Sequence, residues 1–577
     1  MEFKRSFLAI ILIGLVMFLT PMYYKLVAPE TMQSPIVESD FPPDTSQYND
    51  ARDTTYYSEP PPESEPEPPV VEFNNEITFT VETNLYRAVM TNRSGGSISE
   101  FHLYDYVDSF DADGKYHLDS PVFLIQDDHD ACKPCLALFD RDEKEYSYLN
   151  MTFSTDILDG SLFQLSDGDS LTITMQSPAL PQGILTKQMT FHGDSYKTSH
   201  HFNLTSLEEL FRQSLEVTWI GGLLPTEYVE VEDTRNSAAM VYQSGSLDDI
   251  NLTKDNTINR KQYDGSTDWV ALKNKYFLAA ILPETKGIYG SLSAYNIHFS
   301  DRKVTPIFNV GIGFDSNLRE INTQLYLGPQ DFKTLHETAD NLEDAMNWGI
   351  KIIRPISKYI ILSTLMFLRN PFGDFYLNYG IVLIIFAVLV RLITGPLTRR
   401  SFKSTKKMQM IQPKTKELQK KYSKDPARMN KEVMALYKKE GVNPLGGCLP
   451  MLIQMPLLFA LFIVFRNTIE FRGAEFFLWI TDLSKPDVVY TLPFSIPLYG
   501  NGVAILPIFM GLTMFFQQRM SMATMDKSQR PMMYMMTAFF FLIFNQFPAG
   551  LNLYYAMMNL LNIVQQRSIN KTLNGST

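Results

Sequence analysis

YGIVLIIFAVLVRLITGPL, residues 379–397, is a run of nineteen residues with one charge in it, Arg391. Nineteen residues of helix reach about 28 Å, close to the hydrocarbon thickness of a bilayer, so the stretch predicts a membrane span. Arg391 lies twelve positions after Tyr379, away from the start of the span. Burying a guanidinium there costs on the order of 3 kcal/mol on insertion scales, which calls for a partner or for water. Further apolar segments follow at 449–465, 503–516, 532–547 and 551–564, and none of these spans contains Asp or Glu. With no carboxylate to pair with, Arg391 predicts a water-filled cavity, made more polar by Gln454, Gln517, Gln518, Asn545, Gln546, Asn552, Asn559 and Asn562. The alternative is that its long side chain snorkels to the nearer interface.

Outward from this span, charge divides the chain. From residue 351 onward 27 Lys and Arg stand against 10 Asp and Glu, a balance of +17; the total of -12 leaves -29 for residues 1–350. Residues 1–28 carry Lys4 and Arg5 before an apolar stretch with no small-residue cleavage pattern behind it, which reads as an uncleaved signal anchor. Residues 29–71 hold ten prolines among Ser, Glu and Asp, the composition of an extended tether. Between 398 and 440 there are 14 Lys and Arg against four acidic residues, which the positive-inside rule assigns to the cytoplasm. Starting inside at Lys4, six crossings return both termini to the cytoplasm, including a short tail at 571–577, and place the acidic domain outside. The basic segment 398–441 reads as a helical hairpin, with Pro426 opening its second helix and Gly441 closing it. Its cations include Lys406, Lys407, Lys414, Lys420, Lys421, Lys424 and Arg428, suited to lipid headgroups, ribosomal RNA or acidic clients, or to a solvated loop that only sets topology.

Residues 72–335 alternate with period two, as in EITFTVE (76–82) and LTITMQ (171–176), and predict a large all-β sandwich. Residues 340–370 contain an apolar run of only about ten residues, too short to span, and predict an amphipathic helix at the interface. Cys132 and Cys135 form C-K-P-C without a second cysteine pair to complete a zinc site, leaving a small disulfide or two free thiols. His200 and His201 fall on opposite faces of a strand and cannot act as a metal pair. No catalytic group, metal or cofactor is expected. Met residues crowd the membrane half, which suits either a surface that accepts many apolar partners or ordinary lipid-facing packing.

In the membrane half the motifs VRLITGPLT (390–398), EVMALYKKEGVNPLGGCLPMLIQMP (432–456), LWITDLS (478–484), GLTMFFQQRM (511–520) and FPAGLNLYYAMMNLLNIVQQ (547–566) resemble the YidC membrane-protein insertase family of the Gram-negative kind. YFLAAILPE (276–284) and YLGPQDF (326–332) extend the resemblance into the β domain. It implies a polytopic α-helical inner-membrane protein of six transmembrane helices, with a five-helix insertase core at 375–570 and a periplasmic β-supersandwich. It implies that Arg391 lies in a hydrophilic groove that holds the polar segment of a nascent membrane-protein client, with Tyr554 and Tyr555 nearby and a greasy face on 449–465 and 532–547. The implied partners are clients, membrane lipids, the Sec translocon and, given the short tail, a weak or transient ribosome contact; no specific nucleic acid is among them. Where some relatives carry a polar residue one turn before the arginine, this chain has Ala387. A second function compatible with a polar groove is a transporter or channel, which would ordinarily show an internal repeat; none is visible. A third, an anchored carbohydrate-active enzyme, would need convergent acids or bases in the β domain.

Overall fold

Period-two alternation becomes sheet through the first half of the chain. The computed structural model describes residues 76–574 except 94, 111–115, 126–131, 140–144, 148–150, 179–182, 207–213, 228–232, 234, 252–257, 299–303, 374, 424, 442–448 and 523–529. The expected anchor at 1–28, the tether at 29–71 and Lys424 lie outside the described residues.

Two sheets form the β domain. The five-stranded one runs in the order Tyr116–Ile125, Ser97–Phe110, Tyr86–Thr91, Thr78–Glu82, Ser161–Gln164, antiparallel except for its last pair. The thirteen-stranded one extends from Glu145–Ser147 to Ser170–Gln176, with Phe277–Pro283 near its middle. Between the sheets lies a core that includes Phe79, Tyr86, Phe101, Phe191, Val217, Trp219, Phe277 and Ile312. On the strand Lys197–Asn203 burial alternates: His200 is inside and His201 half-exposed. Cys132 and Cys135 are joined in a disulfide. The neighbouring Lys187 is fully buried, and its ammonium donates to the carbonyls of Gly96 and Pro134, tying the turn of one sheet to a strand of the other.

FLAAILP (277–283) shows no alternation: its first six residues are all buried. One face lies in the sandwich core. The other packs with Trp269, Tyr326 and Trp348 into a second core that continues into the helices. A strand covered on both faces has no polar side to present, hence its unbroken apolar run.

The helices begin with α1 (Phe332–Thr338), which Asp331 caps through the Thr334 amide. A π-helical turn, Ile356–Leu362, leads into α2 (Ser363–Arg369); this segment buries Ile361, Leu362 and Leu365 and exposes Tyr359, Ile360 and Phe367. Then come α3 (Tyr379–Met410), α4 (Gln412–Lys421), α5 (Pro426–Lys439), α6 (Leu449–Asn467), α7 (Ile505–Met522), α8 (Arg530–Phe544) and α9 (Ala549–Asn574). The basic hairpin differs in one respect from the expected pair of helices starting at 398. The membrane helix continues past Pro396 to Met410, so α3 carries the base of the hairpin, which α4 and α5 complete. Asp425 caps α5 and Lys414 pairs with Glu440 at 2.9 Å. Among the described residues one stretch, Tyr379–Ser401, is long and apolar enough to cross a membrane unaided; Gln454–Asn467 and Tyr534–Phe544 are shorter apolar helices. Helix length therefore does not carry the expected count of six spans. As described, α8 has 15 residues, about 22 Å, and α7 and α9 interleave amides with their apolar residues.

The segment after α6 is the peg that joins helices to sheet. Ile469 enters the sandwich core and Phe471 the second core. Arg472 Nε donates to Glu227 Oε1 at 2.8 Å and its Nη1 to the Val107 carbonyl at 2.8 Å, with both charged side chains 5% exposed or less. The Tyr276 hydroxyl donates to the Arg466 carbonyl at 3.3 Å. Removing one member of a buried pair strands the other, at about 3–5 kcal/mol. Arg472→Ala should accordingly loosen the β domain from the helices, measured as faster proteolysis within 466–487 in the full-length protein. Unchanged protection would contradict the role of the pair.

Glu470 sits in the same peg, with both carboxylate oxygens shielded. Burial, with the nearby Asp331 carboxylate, pushes it up to about 8. A glutamate in the unfolded chain ionises near pH 4.5, so between there and pH 8 the folded state holds a proton that the unfolded state has lost. The stability this confers is complete below the unfolded value and disappears as pH rises through the folded one. Thermal unfolding midpoints should fall from pH 6 to pH 9, and Glu470→Gln should flatten that fall. An equal slope in the two proteins would refute the assignment.

Candidate functional site

Helix α3 divides its faces by spacing. Val382, Leu383, Phe386, Ala387 and Val390 form a buried stripe, while Val388, Leu389, Leu392 and Ile393 face outward, the last two 70% and 71% exposed. Arg391 stands between the stripes, half-buried. Its Nη2 donates to Oε1 of Gln565 on α9, whose Nε2 in turn donates to the Gly395 carbonyl at 3.3 Å. A Cβ at Gly395 would lie 3.4 Å from that amide nitrogen, in ordinary van der Waals contact with the glutamine. Pro396 has no N–H, which frees the Leu392 carbonyl from the helix ladder one turn after the arginine's own neighbour. Arg391 Nε is shielded and has no hydrogen-bond partner among the described residues.

The helices around Arg391 contribute amides and hydroxyls and no carboxylate: α3, α6, α7, α8 and α9 contain no Asp or Glu. A neutral partner leaves the full positive charge in place, where a carboxylate would cancel it. On α7, Gln517 is half-buried with a shielded Oε1, and Gln518 accepts from Thr537 of α8. Higher up, Asn559 of α9 donates to the buried Thr513 hydroxyl of α7 at 3.4 Å. Toward the β domain this polar column ends against apolar packing. Tyr554 is fully buried with its ring 5.9 Å from Phe386 and 5.2 Å from Tyr555, which meets Phe544 at 5.7 Å. Both tyrosine hydroxyls are shielded without a partner among the described residues.

Three amides expected in the groove are engaged elsewhere. Asn552 Nδ2 donates to the carbonyls of Phe544 and Phe547 at 3.1 and 3.2 Å. Asn545 Nδ2 donates to those of Tyr499 and Gly502 at 2.9 and 2.6 Å, and Gln546 Nε2 to that of Leu498 at 3.1 Å. Asn552 satisfies carbonyls at and just past the end of α8, which have no partners within the helix, while Asn545 and Gln546 satisfy carbonyls of the segment 498–502. Gln454 lies half-buried in the second turn of α6.

Gln565, the hydrogen-bond partner of Arg391, is not among the residues singled out from the sequence. It belongs to the NIVQQ end of a quoted motif, and its helical phase with Tyr554 and Met558 was the available signal. Of the hairpin cations, Lys407, Lys420, Lys421 and Arg428 are exposed, with Lys421 and Arg428 5.5 and 5.2 Å from the Tyr422 ring; the Lys406 side chain is outside the described residues. A double-mutant cycle between Arg391→Met and Gln565→Leu should give a coupling of about 0.5–2 kcal/mol, the range of hydrogen bonds between membrane helices. Additive unfolding energies would show that the contact carries none.

Residues 371–576 match the family model described as 60Kd inner membrane protein, and residues 78–362 match that of the YidC periplasmic domain. A protein of Pelodictyon phaeoclathratiforme named membrane protein insertase YidC is 36% identical over 86% of this chain and 83% of its own. Proteins of the same name from Prosthecochloris aestuarii and Chlorobium limicola are 33% and 40% identical, covering 99% and 68% of this chain and 95% and 67% of theirs. A crystal structure described as an active YidC insertase aligns over 84% of this chain and 91% of its own at 16% identity and a TM-score of 0.32, too loose a likeness to locate any residue.

Proposed function

Given that the chain belongs to the YidC family of membrane protein insertases, we propose that it moves short polar segments of client proteins past the cluster on Arg391 and releases their apolar helices into the inner membrane. The observation that carries this reading is the arginine itself, held halfway along an apolar helix by a neutral amide with no acid in any surrounding helix. Such a site keeps its charge and its need for solvation, and a client's acidic or amide-bearing segment can supply both.

The path is the polar column of Arg391, Gln517, Gln565 and Asn559, open toward the cytoplasm and closed toward the β domain by Tyr554, Tyr555 and Phe386. Beside it, exposed Phe459 on α6 and exposed Tyr534, Met535, Met536 and Phe539 on α8 offer the client helix an apolar face. With the anchor and α3, α6, α7, α8 and α9, the chain crosses six times, both termini inside. Because α8 and α7 are short, the bilayer around them thins, which lowers the barrier for a polar segment. The hairpin of α4 and α5 meets the client first, its Lys407, Lys414, Lys420, Lys421 and Arg428 reaching toward acidic clients, lipid headgroups or a docked ribosome. Partnership with the Sec translocon belongs to the same reading. No step is covalent, and no metal or cofactor enters.

The test is insertion of a single-span client into proteoliposomes holding only this protein, scored by protease protection of its translocated tail. Wild type should exceed protein-free liposomes, and Arg391→Ala should reduce insertion of acidic-tailed clients on the order of tenfold, what about 1.4 kcal/mol of barrier amounts to, with neutral tails less affected. Equal insertion of both tails by both proteins would sink the electrostatic role.

A further inference from the structure

Between α6 and α7 the chain passes through a two-stranded sheet, Val488–Ile496 paired with Gly500–Ala504. The run 488–504, VVYTLPFSIPLYGNGVA, has no Asp, Glu, Lys, Arg or His in seventeen residues, in a chain that is 20% charged. Its apolar side chains are nevertheless outside: Tyr490 is 62% exposed, Phe494 60% and Leu498 54%. Val488, Val489 and Tyr490 are consecutive and all exposed, so both faces of the hairpin are apolar and uncovered. In water this is untenable. Exposed sheet edges carry charge to block mispairing, and a lone two-stranded hairpin is marginal.

Where the hairpin sits decides what covers it. Asn545 and Gln546, just past α8, hold its backbone at Leu498, Tyr499 and Gly502, and Asn545 Oδ1 accepts from the Ala504 amide at 3.2 Å. At its other end Asp487 Oδ2 accepts from the Leu506 amide at the start of α7 at 2.7 Å and from Trp479 Nε1 at 3.0 Å. The hairpin therefore lies across the ends of α7 and α8 nearest the β domain. It leads directly into α7, whose Ile508, Phe509 and Leu512 are likewise exposed and apolar. Helix α8 falls short of the roughly 30 Å hydrocarbon layer, and the hairpin prolongs its apolar surface.

We infer that the hairpin 488–504 is a monotopic membrane wedge, seated among the headgroups and upper acyl chains of the leaflet on the β-domain side. The occupant is lipid because the surface is uncharged, rich in aromatic and aliphatic side chains and followed directly by a membrane helix with exposed apolar side chains. The unpaired backbone groups of a two-stranded sheet forbid the hydrocarbon centre and are tolerated at headgroup depth. The inference rests on the reading of α7 as a membrane helix. The wedge displaces lipid beside the short helices, on the leaflet a client's translocated segment must reach.

Fluorescence quenching tests this in full-length protein reconstituted into phosphatidylcholine–phosphatidylglycerol vesicles. The chain's four tryptophans, Trp219, Trp269, Trp348 and Trp479, are kept so that the bond from Trp479 to Asp487 stays intact, and emission is read as the difference from the parent protein. In the parent protein Phe494→Trp adds a single reporter on the hairpin. Acyl chains brominated near the headgroup should at least halve its added emission, and iodide in the buffer should leave it unchanged. Quenching by iodide alone would put the hairpin in water and overturn the wedge. Protection from both quenchers would put it against protein and overturn it equally. Leu512→Trp in the same background is the control: if brominated lipid fails to quench it, the fault lies with the membrane reading of α7 and not with the hairpin.

Discussion

A guanidinium fixed halfway along an apolar helix is the constraint that the rest of the membrane half answers to. Its charge must be solvated, and the neighbouring helices offer Gln565 and other uncharged polar groups instead of an acid. An acid would satisfy Arg391 permanently and leave nothing for a client to contribute. An amide satisfies one nitrogen and leaves Nε shielded without a partner among the described residues. Pro396, which has no N–H, leaves the Leu392 carbonyl beside the arginine outside the helix ladder. Tyr554, Tyr555 and Phe386 pack against one another on the side of the site toward the β domain.

Polar residues in the helical region serve two ends. Near Arg391 they face the column. Past the end of α8, Asn545, Gln546 and Asn552 satisfy backbone carbonyls where the chain reverses. The peg at 466–472 does for the whole molecule what those amides do for the turn, binding helices to sheet through Arg472, Glu227 and Tyr276. That peg directly follows α6, so the contacts tie this helix to the β domain.

The β domain was legible because alternation is a local signal: one strand such as Lys197–Asn203 reveals its own inside and outside. The doubly buried FLAAILP was harder, since an apolar run fits a strand or a helix equally well until its second layer is known. Arg391 announced itself as a lone charge. Its partner did not, because a glutamine near a helix end looks like any surface residue, and only the packing of α9 on α3 brings Gln565 beneath the guanidinium. Asn545 and Asn552 misled for the converse reason. A polar residue between apolar segments reads as groove lining, while its use as a backbone donor depends on where the helix stops. The basic hairpin was visible as a charge run, but its continuity with α3 through Pro396 was not, since proline inside a helix ordinarily marks a break.

The central claim is that Arg391 stands in water reached from the cytoplasm alone. Thiol labelling tests it most directly: Arg391→Cys in a chain carrying Cys448→Ser, reconstituted with known sidedness and treated with a charged, membrane-impermeant methanethiosulfonate from either face. The account predicts labelling from the side of the basic hairpin and none from the side of the β domain. Labelling from both sides, or from neither, would contradict it.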